Sequence, residues 1–400
     1  MRIAMISEHA SPLAVIGGAD AGGQNVHLAA LSRALADRGH TVEVYTRRDG
    51  TESAEQVTLS PGVEVIHVPA GPPQPIPKDE LLPYMPDFGD WLARRWITGA
   101  PEVVHSHFWM SGVAAIVARQ HVPFASAQTF HALGVVKRRH QGARDTSPAE
   151  RVALERRIAL ESDAVIATAT EEVRELLDLG CRAETLHVVP CGVDDFPPTA
   201  PDGRWWRHSG GRVVSLGRLV ERKGVDTVIE ALAELPDAEL VVAGGPATGF
   251  DDDPEVRRLR AVAERNGLSD RVSLIGPIPR DQVPALLGSA DVVACTPWYE
   301  PFGIVPLEAM ACGKPVVGAA VGGLLDTVVD GRTGIHVPPR DPHRLAEVLR
   351  ELLADPGRRE ALGRAGRARI AENYTWPKVA EATENVYRRI VAPVTSERSR

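Results

Sequence analysis

Short apolar runs alternate with longer amphipathic stretches along most of this chain. "RIAMIS" opens it and reads as a strand, followed by the helical pattern "GQNVHLAALSRALADRG" and a second strand, "TVEVYT". "VEVIHV", "EVVHSH", "FASAQT" and "AVIATA" continue the series, with helical stretches between them. A strand–helix–strand rhythm of this kind predicts a parallel sheet with helices on both faces. The rhythm stops at "CGVDDFPPTAPDGRWWRHSGG" (Cys191 to Gly211), where proline, glycine and aspartate dominate as in a linker. It restarts with "RVVSLG", "ELVVAGG", "RVSLIG", "DVVACT" and "PVVGAA". The final pattern, "TWPKVAEATENVYRRIV", is one amphipathic helix.

The expected fold is therefore α/β, with two Rossmann-like, doubly wound parallel-sheet domains. The first covers residues 1–195, the linker 196–210 and the second domain 211–374, with the last helix in 375–400. A length of 400 residues fits two cores better than one. Ligands of open parallel sheets bind beyond the carboxyl ends of the strands. Two such sheets facing a central cleft would each contribute strand ends to it.

Composition narrows the classes. With 44% hydrophobic and 24% charged residues the chain reads as a soluble globular protein. A net charge of -8 argues against a general nucleic-acid binder. No apolar run approaches the roughly 20 residues of a membrane span, and "MRIAMIS" reads as an opening strand, not a signal peptide. Four cysteines without a CxxC pair suggest free thiols in a reducing, cytoplasmic setting. Only five of the 45 basic residues are lysines, so a lysine is the more informative cation here.

Four strand ends carry candidate chemistry. "GGADAGGQNVH", Gly17 to His27, lacks both the GxGxxG spacing and a P-loop ending. Its glycines, Gly22 and Gly23 among them, suit either a tight turn or a backbone approach to an anion at a helix start. In "SLGRLVERKGVDTVIEAL", Arg218 and Lys223 flank a helix start, and two cations there suit a diphosphate. In "WYEPFGIVPLEAMACG", Glu300 follows a strand and Glu308 lies in the next helix. Each carboxylate can accept two hydrogen bonds from a vicinal diol, and the turn between them offers N–H donors at a helix start. In "QTFHALG", His131 ends a strand of the first half, where a histidine is either structural or a partner for a ligand hydroxyl. Other features are discounted. "DDD" at Asp251 to Asp253 reads as a helix cap, and "HSH" at His105 and His107 lacks metal-ligand spacing. The basic run "VKRRHQGARD" reads as a solvated face or, because it directly follows His131, as part of an acceptor site for an anion.

The two halves, the "GGQN" loop, "GRLVERKG" and the paired glutamates of "EPFGIVPLE" resemble the retaining glycosyltransferases of family 4, which have the GT-B fold. The likeness spans nearly the whole chain. Within that family it extends to members acting on inositol phosphate in mycothiol synthesis and to sucrose-phosphate synthases. The resemblance implies roles by position. Gly23 would lie against the diphosphate, which Arg218 and Lys223 would neutralise. Glu308 would hold the ribose and Glu300 the donor-sugar hydroxyls. Backbone groups of Phe302, Gly303, Ile304 and Val305 would meet sugar and phosphate, and Ile278 in "GPIPRDQ" the base. His131 would sit near the anomeric carbon, and the last helix would return to the first domain. On the acceptor side, Asn25, Lys78 and Arg151 match positions that touch inositol phosphate in such members. A tyrosine and a threonine of that site are Phe108 and Ala132 here.

The resemblance thus implies a metal-independent hexosyl transfer from a nucleotide sugar, a UDP-sugar before a GDP-sugar, to a small polar acceptor. Thiol or antibiotic biosynthesis would be fitting settings. No cofactor, nucleic acid or membrane is expected, and a homodimer is allowed. The competing expectations are a membrane-bound enzyme with a lipid acceptor and a non-catalytic two-domain binding protein. An epimerase or phosphorylase on a similar fold is a further one.

Overall fold

A computed structural model of the protein describes residues 1–13, 22–196 and 210–391. Most of the expected linker, residues 197–209, and the first part of the glycine-rich loop lie outside the described residues. The chain divides into two compact units. Unit 1 holds residues 1–13, 22–190 and 376–391, and unit 2 holds 191–196 and 210–375.

Among the described residues, unit 1 has eight strands: β1 (Arg2–Ile6), β2 (Thr41–Arg47), β3 (Gln56–Ser60), β4 (Val63–Val68), β5 (Val103–His107), β6 (Ala125–Thr129), β7 (Ala164–Ala167) and β8 (Leu186–Val188). They form one sheet in the order β3-β4-β2-β1-β5-β6-β7-β8. Every neighbouring pair is parallel except β3–β4, which is antiparallel and shifts register between Thr58 and Ser60. Unit 2 has β9 (Arg212–Leu216), β10 (Glu239–Ala243), β11 (Val272–Leu274), β12 (Val292–Cys295), β13 (Val316–Ala319) and β14 (Gly334–Val337). Their order is β11-β10-β9-β12-β13-β14, parallel throughout.

All eleven strands read from the apolar runs are present; β3, β8 and β14 are additional. These three are short edge strands, and β3 and β8 are only partly buried, so they lack a continuous apolar signal.

Successive side chains of a strand point to opposite faces, and unit 2 shows the result. Val213, Leu240, Val242, Val292 and Val317 pack into one core. Their neighbours Val214, Val241, Val293 and Val316 pack into another on the far side. The sheet is thus covered on both faces, which is why its strands read as unbroken apolar runs. In unit 1 the final helix, Trp376–Val391, packs beside helix Gly23–Asp37. Its Val379, Ala380 and Tyr387 join Leu28, Leu31 and Leu35 in one core. The aspartate run behaves as a cap: Asp253 accepts hydrogen bonds from the N–H groups of Glu255 and Val256 at the start of helix Pro254–Arg265.

Candidate active site

In unit 2 the chain leaves β9 toward β10 and β11 on one side, while β12, β13 and β14 lie on the other. The carboxyl ends of β9 and β12 therefore flank the topological switch point, where open α/β sheets bind ligands. Lys223 follows β9 and Glu300 follows β12, and the Lys223 ammonium donates to Glu300 Oε2. Arg222 Nη1 reaches the Tyr299 carbonyl at 3.4 Å. Burial alone would raise the Glu300 carboxyl. Lys223, Arg222 and the Gly303 N–H more than offset it, holding the carboxyl below its ordinary value. Glu300 is thus kept ionised, with both oxygens as acceptors.

Glycines make this approach possible. Gly224 (φ +67°) ends the turn Glu221–Lys223 and caps helix Val225–Leu232. A Cβ on it would lie 2.0 Å from the Thr296 carbonyl oxygen, and Thr296 Oγ1 donates to the Gly224 carbonyl at 2.8 Å. The two strand ends are tied there. Gly322 (φ +52°) stands behind Glu300 in the same way, with room for a Cβ only 2.2 Å from the Glu300 carbonyl oxygen. Gly224→Ala is expected to cost about 2–3 kcal/mol, from left-handed strain and the backbone clash together. Urea unfolding measures it, and an unchanged midpoint would contradict this packing.

Glu308 is buried in helix Ile304–Ala311, whose first residues, Ile304 and Val305, have N–H groups with no acceptor within the helix. Gly303 (φ +74°) caps that helix after half-buried Phe302. Glu308 Oε1 accepts from Arg280 Nη1, and Arg280 Nη2 reaches Asp194 Oδ2 at 3.0 Å. Burial pushes the Glu308 carboxyl up, and Arg280 opposes this without cancelling it. Arg280 and Asp194 were not among the residues expected from sequence. Arg280 lies two positions after half-buried Ile278, but in an arginine-rich chain it carries little signal. Arg218 is exposed just beyond β9.

Unit 1 has its own switch point between β1 and β5. Buried Glu8, after β1, accepts from Ser111 Oγ, and its other oxygen lies 2.6 Å from His9 Nδ1. Gly22 is the N-cap of helix Gly23–Asp37; its N–H donates to Asn25 Oδ1 at 3.0 Å, while Asn25 Nδ2 donates to the Ser11 carbonyl at 2.9 Å. Asn25 is buried and fastens this helix start. Lys78 is half-buried in the turn Lys78–Glu80.

Phe108 (φ +78°) and His131 (φ +61°) follow β5 and β6, and are two of three non-glycine residues with positive φ among the described residues. Arg151 is buried and its fork is used inside the unit: Nε on Glu155 at 2.8 Å, Nη1 on Ser147 at 3.1 Å and Nη2 on the Ala132 carbonyl at 2.5 Å. Glu155 also accepts from the Gly134 N–H at 2.9 Å. The pair therefore clamps the turn that carries His131. The basic run is ion-paired, with Lys137 on Asp145 at 3.0 Å and Arg139 on Glu175 at 2.6 Å.

Four histidines gather beneath that turn. His105 lies 2.7 Å from the Tyr387 hydroxyl and 2.9 Å from Thr129 Oγ1; His107 Nδ1 lies 2.9 Å from His131 Nε2. His27 packs against His107, His131 and Trp376. Burial pushes His27 down to about 4 and His105 to about 3, and pushes His107 and His131 well below the ordinary value. All four are neutral at pH 7. Among the described residues no group of three His, Cys, Asp or Glu side chains is placed to hold a metal ion, and no helix is long and apolar enough to cross a membrane.

The sequence matches two family models: Glycosyltransferase Family 4 over residues 21–195 and Glycosyl transferases group 1 over residues 206–369. It is 38% identical to D-inositol 3-phosphate glycosyltransferase of Xylanimonas cellulosilytica, with 96% of each chain covered. It is 37% identical to the enzyme of the same name from Acidothermus cellulolyticus, covering 98% of this chain and 91% of that one. Among solved structures, sucrose-phosphate synthase of Thermosynechococcus elongatus superimposes with a TM-score of 0.90 at 33% identity, covering 98% and 99% of the two chains. Anabaena HepE, in complex with UDP-glucose, shares the fold at a TM-score of 0.75 and 22% identity, with 96% and 99% covered.

Proposed function

Since this chain belongs to the family 4 glycosyltransferases, with two Rossmann-like units of the GT-B class, we propose that it transfers a hexosyl group from a nucleoside diphosphate sugar to a small polar metabolite, with retention at the anomeric carbon. The observation that carries the reading is the Lys223–Glu300 pair at the switch point of unit 2. Lys223 and Arg218 meet the diphosphate, where leaving-group charge grows, and fixed cations stabilise it without reorganising. Glu300, held ionised, accepts from two hydroxyls of the sugar. Glu308 accepts from the ribose, and Arg280 must turn aside for it to do so. Gly23, the Phe302–Val305 turn and the Ile278 backbone complete the donor contacts. His131 meets the sugar near the reacting carbon, and the leaving phosphate oxygen takes the acceptor's proton. UDP is the favoured nucleotide, in keeping with the UDP-glucose of HepE.

The acceptor is a small polyol other than inositol phosphate. The names of the curated relatives support the polyol. Phe108 and Ala132 carry no hydroxyl, the Arg151 fork is committed to Glu155, Ser147 and Ala132, and the Asn25 amide is engaged at its own helix start, which leaves a phosphate few partners.

A thermal-shift screen with UDP, GDP, ADP and TDP tests the donor site. A nucleotide at 100 times its Kd adds about 2.7 kcal/mol of stability. UDP is expected to give the largest shift, unchanged by EDTA and lost in the Arg218→Ala/Lys223→Ala double variant. No shift with any nucleotide, or an equal shift in the double variant, overturns the site.

A further inference from the structure

Two buried arginine–glutamate pairs of this protein differ in how completely they are closed. In the Arg151–Glu155 pair every guanidinium nitrogen has a protein acceptor, and both carboxylate oxygens accept from the Gly134 N–H, one of them from Arg151 as well. Glu308 is held by less. Its side chain is 3% exposed, yet among the described residues it receives a single hydrogen bond, from Arg280 Nη1 to Oε1. A carboxylate has about four acceptor sites, and a buried one short of donors is costly. The shortfall shows in the Glu308 carboxyl, which burial keeps raised despite Arg280.

Arg280 itself does not depend on Glu308. Its Nη2 lies 3.0 Å from Asp194 Oδ2, and its guanidinium lies 5.2 Å from the centroid of the Phe196 ring. The Asp194 side chain is 44% exposed, so an arginine released from Glu308 keeps an anion and an aromatic face and gains water.

We propose that Arg280 is a specificity-determining residue of the donor site: it stands in for the ribose on Glu308 and gives way to a nucleotide that brings both the 2′- and 3′-hydroxyl groups. The role presupposes the ribose contact proposed for Glu308 and refines it. A vicinal diol offers a donor to each carboxylate oxygen, where Arg280 supplies a donor to one. A single hydroxyl would exchange one bond for another and separate the charges besides, so it does not displace the arginine.

Affinity for a site that must first open is lowered by the open fraction. With Arg280 on Glu308 about nine-tenths of the time, a ribonucleotide binds about 10-fold more weakly than it would without the arginine. The donor and the spent nucleoside diphosphate are affected alike, which limits how tightly the product is held when its release sets turnover.

Calorimetric titration of the full chain with UDP and with 2′,3′-dideoxy-UDP tests the role. The second ligand keeps the base and diphosphate but offers Glu308 no hydroxyl. The titrations are run at about pH 8.5, so that Glu308 is not simply left protonated when the cation is removed. The quantity read is the ratio of the two Kd values, which a change in the folded fraction does not move. Arg280→Met keeps the length and the packing on Phe196, and it should raise the preference for UDP about 10-fold over the wild type. Arg280→Gln, which can still donate one bond to Glu308, should raise it by a smaller factor, roughly 2- to 5-fold.

An unchanged or lower preference for UDP in Arg280→Met overturns the role. An arginine that is merely structural, or that meets the base or the diphosphate, moves both Kd values together. UDP binding with an unmoved ratio thus removes Arg280 and leaves the donor site standing. If the wild type binds neither nucleotide, the proposed function fails and the role of Arg280 falls with it.

Discussion

Exchanging Glu300 for glutamine is expected to lower kcat by about 10²- to 10³-fold, the scale on which one preorganised polar group counts in catalysis. The side chain keeps its shape but loses its charge and one of its two acceptor oxygens. It can no longer receive two sugar hydroxyls, and Lys223 loses the partner that holds it at the carboxyl end of β9. Nucleotide binding should weaken much less, because Arg218 and the helix start remain. Steady-state kinetics with the nucleotide sugar that gives turnover provide the check; near-wild-type kcat would remove Glu300 from the site.

The same variant carries a pH signature. Because the Glu300 carboxyl is held below its ordinary value of 4.5, its pairing stabilises the fold above that pH. The contribution is lost as pH falls through the lower, folded value. The wild type should therefore exceed Glu300→Gln by about 1–2 kcal/mol at pH 7, less than a fully buried pair because Lys223 is partly solvated. The gap should close in acid. A gap independent of pH would mean that the charge pair is not its source.

The largest loss of stability is expected from Arg151→Ala. The Arg151 and Glu155 side chains are only 3% and 0% exposed. Removing the guanidinium leaves a carboxylate buried with the Gly134 N–H for company and frees the Ala132 carbonyl. Breaking such a pair costs about 3–5 kcal/mol, roughly 10 °C in the melting temperature of a unit this size. Burial already raises the Glu155 carboxyl despite Arg151. Without Arg151 it rises further, so protonation in acid relieves the penalty and the difference narrows as pH falls. If instead Arg151→Ala melts like the wild type and raises only the acceptor KM, the guanidinium serves the acceptor directly.

Arg151 also shows where sequence reading stops. The resemblance implies an acceptor-binding role for it, whereas the fold gives its donors to Glu155, Ser147 and a carbonyl. Asn25 is similar: the sequence places it beside the glycine loop, and the structure makes it the fastening of its own helix. In both cases the hydrogen-bond commitments depend on how the chain folds back on itself, with Ser11 meeting Asn25 and the Ala132 carbonyl meeting Arg151. Arg280 is the converse. It carries no signal in an arginine-rich chain, and its pairing with Glu308 appears only once the turn after β11 is placed beside helix Ile304–Ala311.

What the sequence determined by itself is most of the strands and helices, all but the edge strands β3, β8 and β14 among the strands. Apolar runs of strand length, helical periods and glycine–proline punctuation are local properties, fixed by side-chain period and allowed backbone angles. With them came the position of Lys223, Glu300 and His131 just beyond strand ends, because a residue's place in a strand–turn–helix unit is also local. Tertiary structure alone decided which strand ends adjoin. Lys223 and Glu300, 77 positions apart, meet because β9 and β12 are neighbours at the switch point. His107 meets His131 because β5 lies beside β6, in parallel register that sets His107 opposite Thr129. Strand order depends on how helices pack over the sheet and on backbone pairing, to which most side chains are indifferent. Lys223, Glu300, Glu308 and His131 can therefore be read from the chain one by one, Arg280 and Asp194 cannot, and the pairings of all of them emerge only in the folded protein.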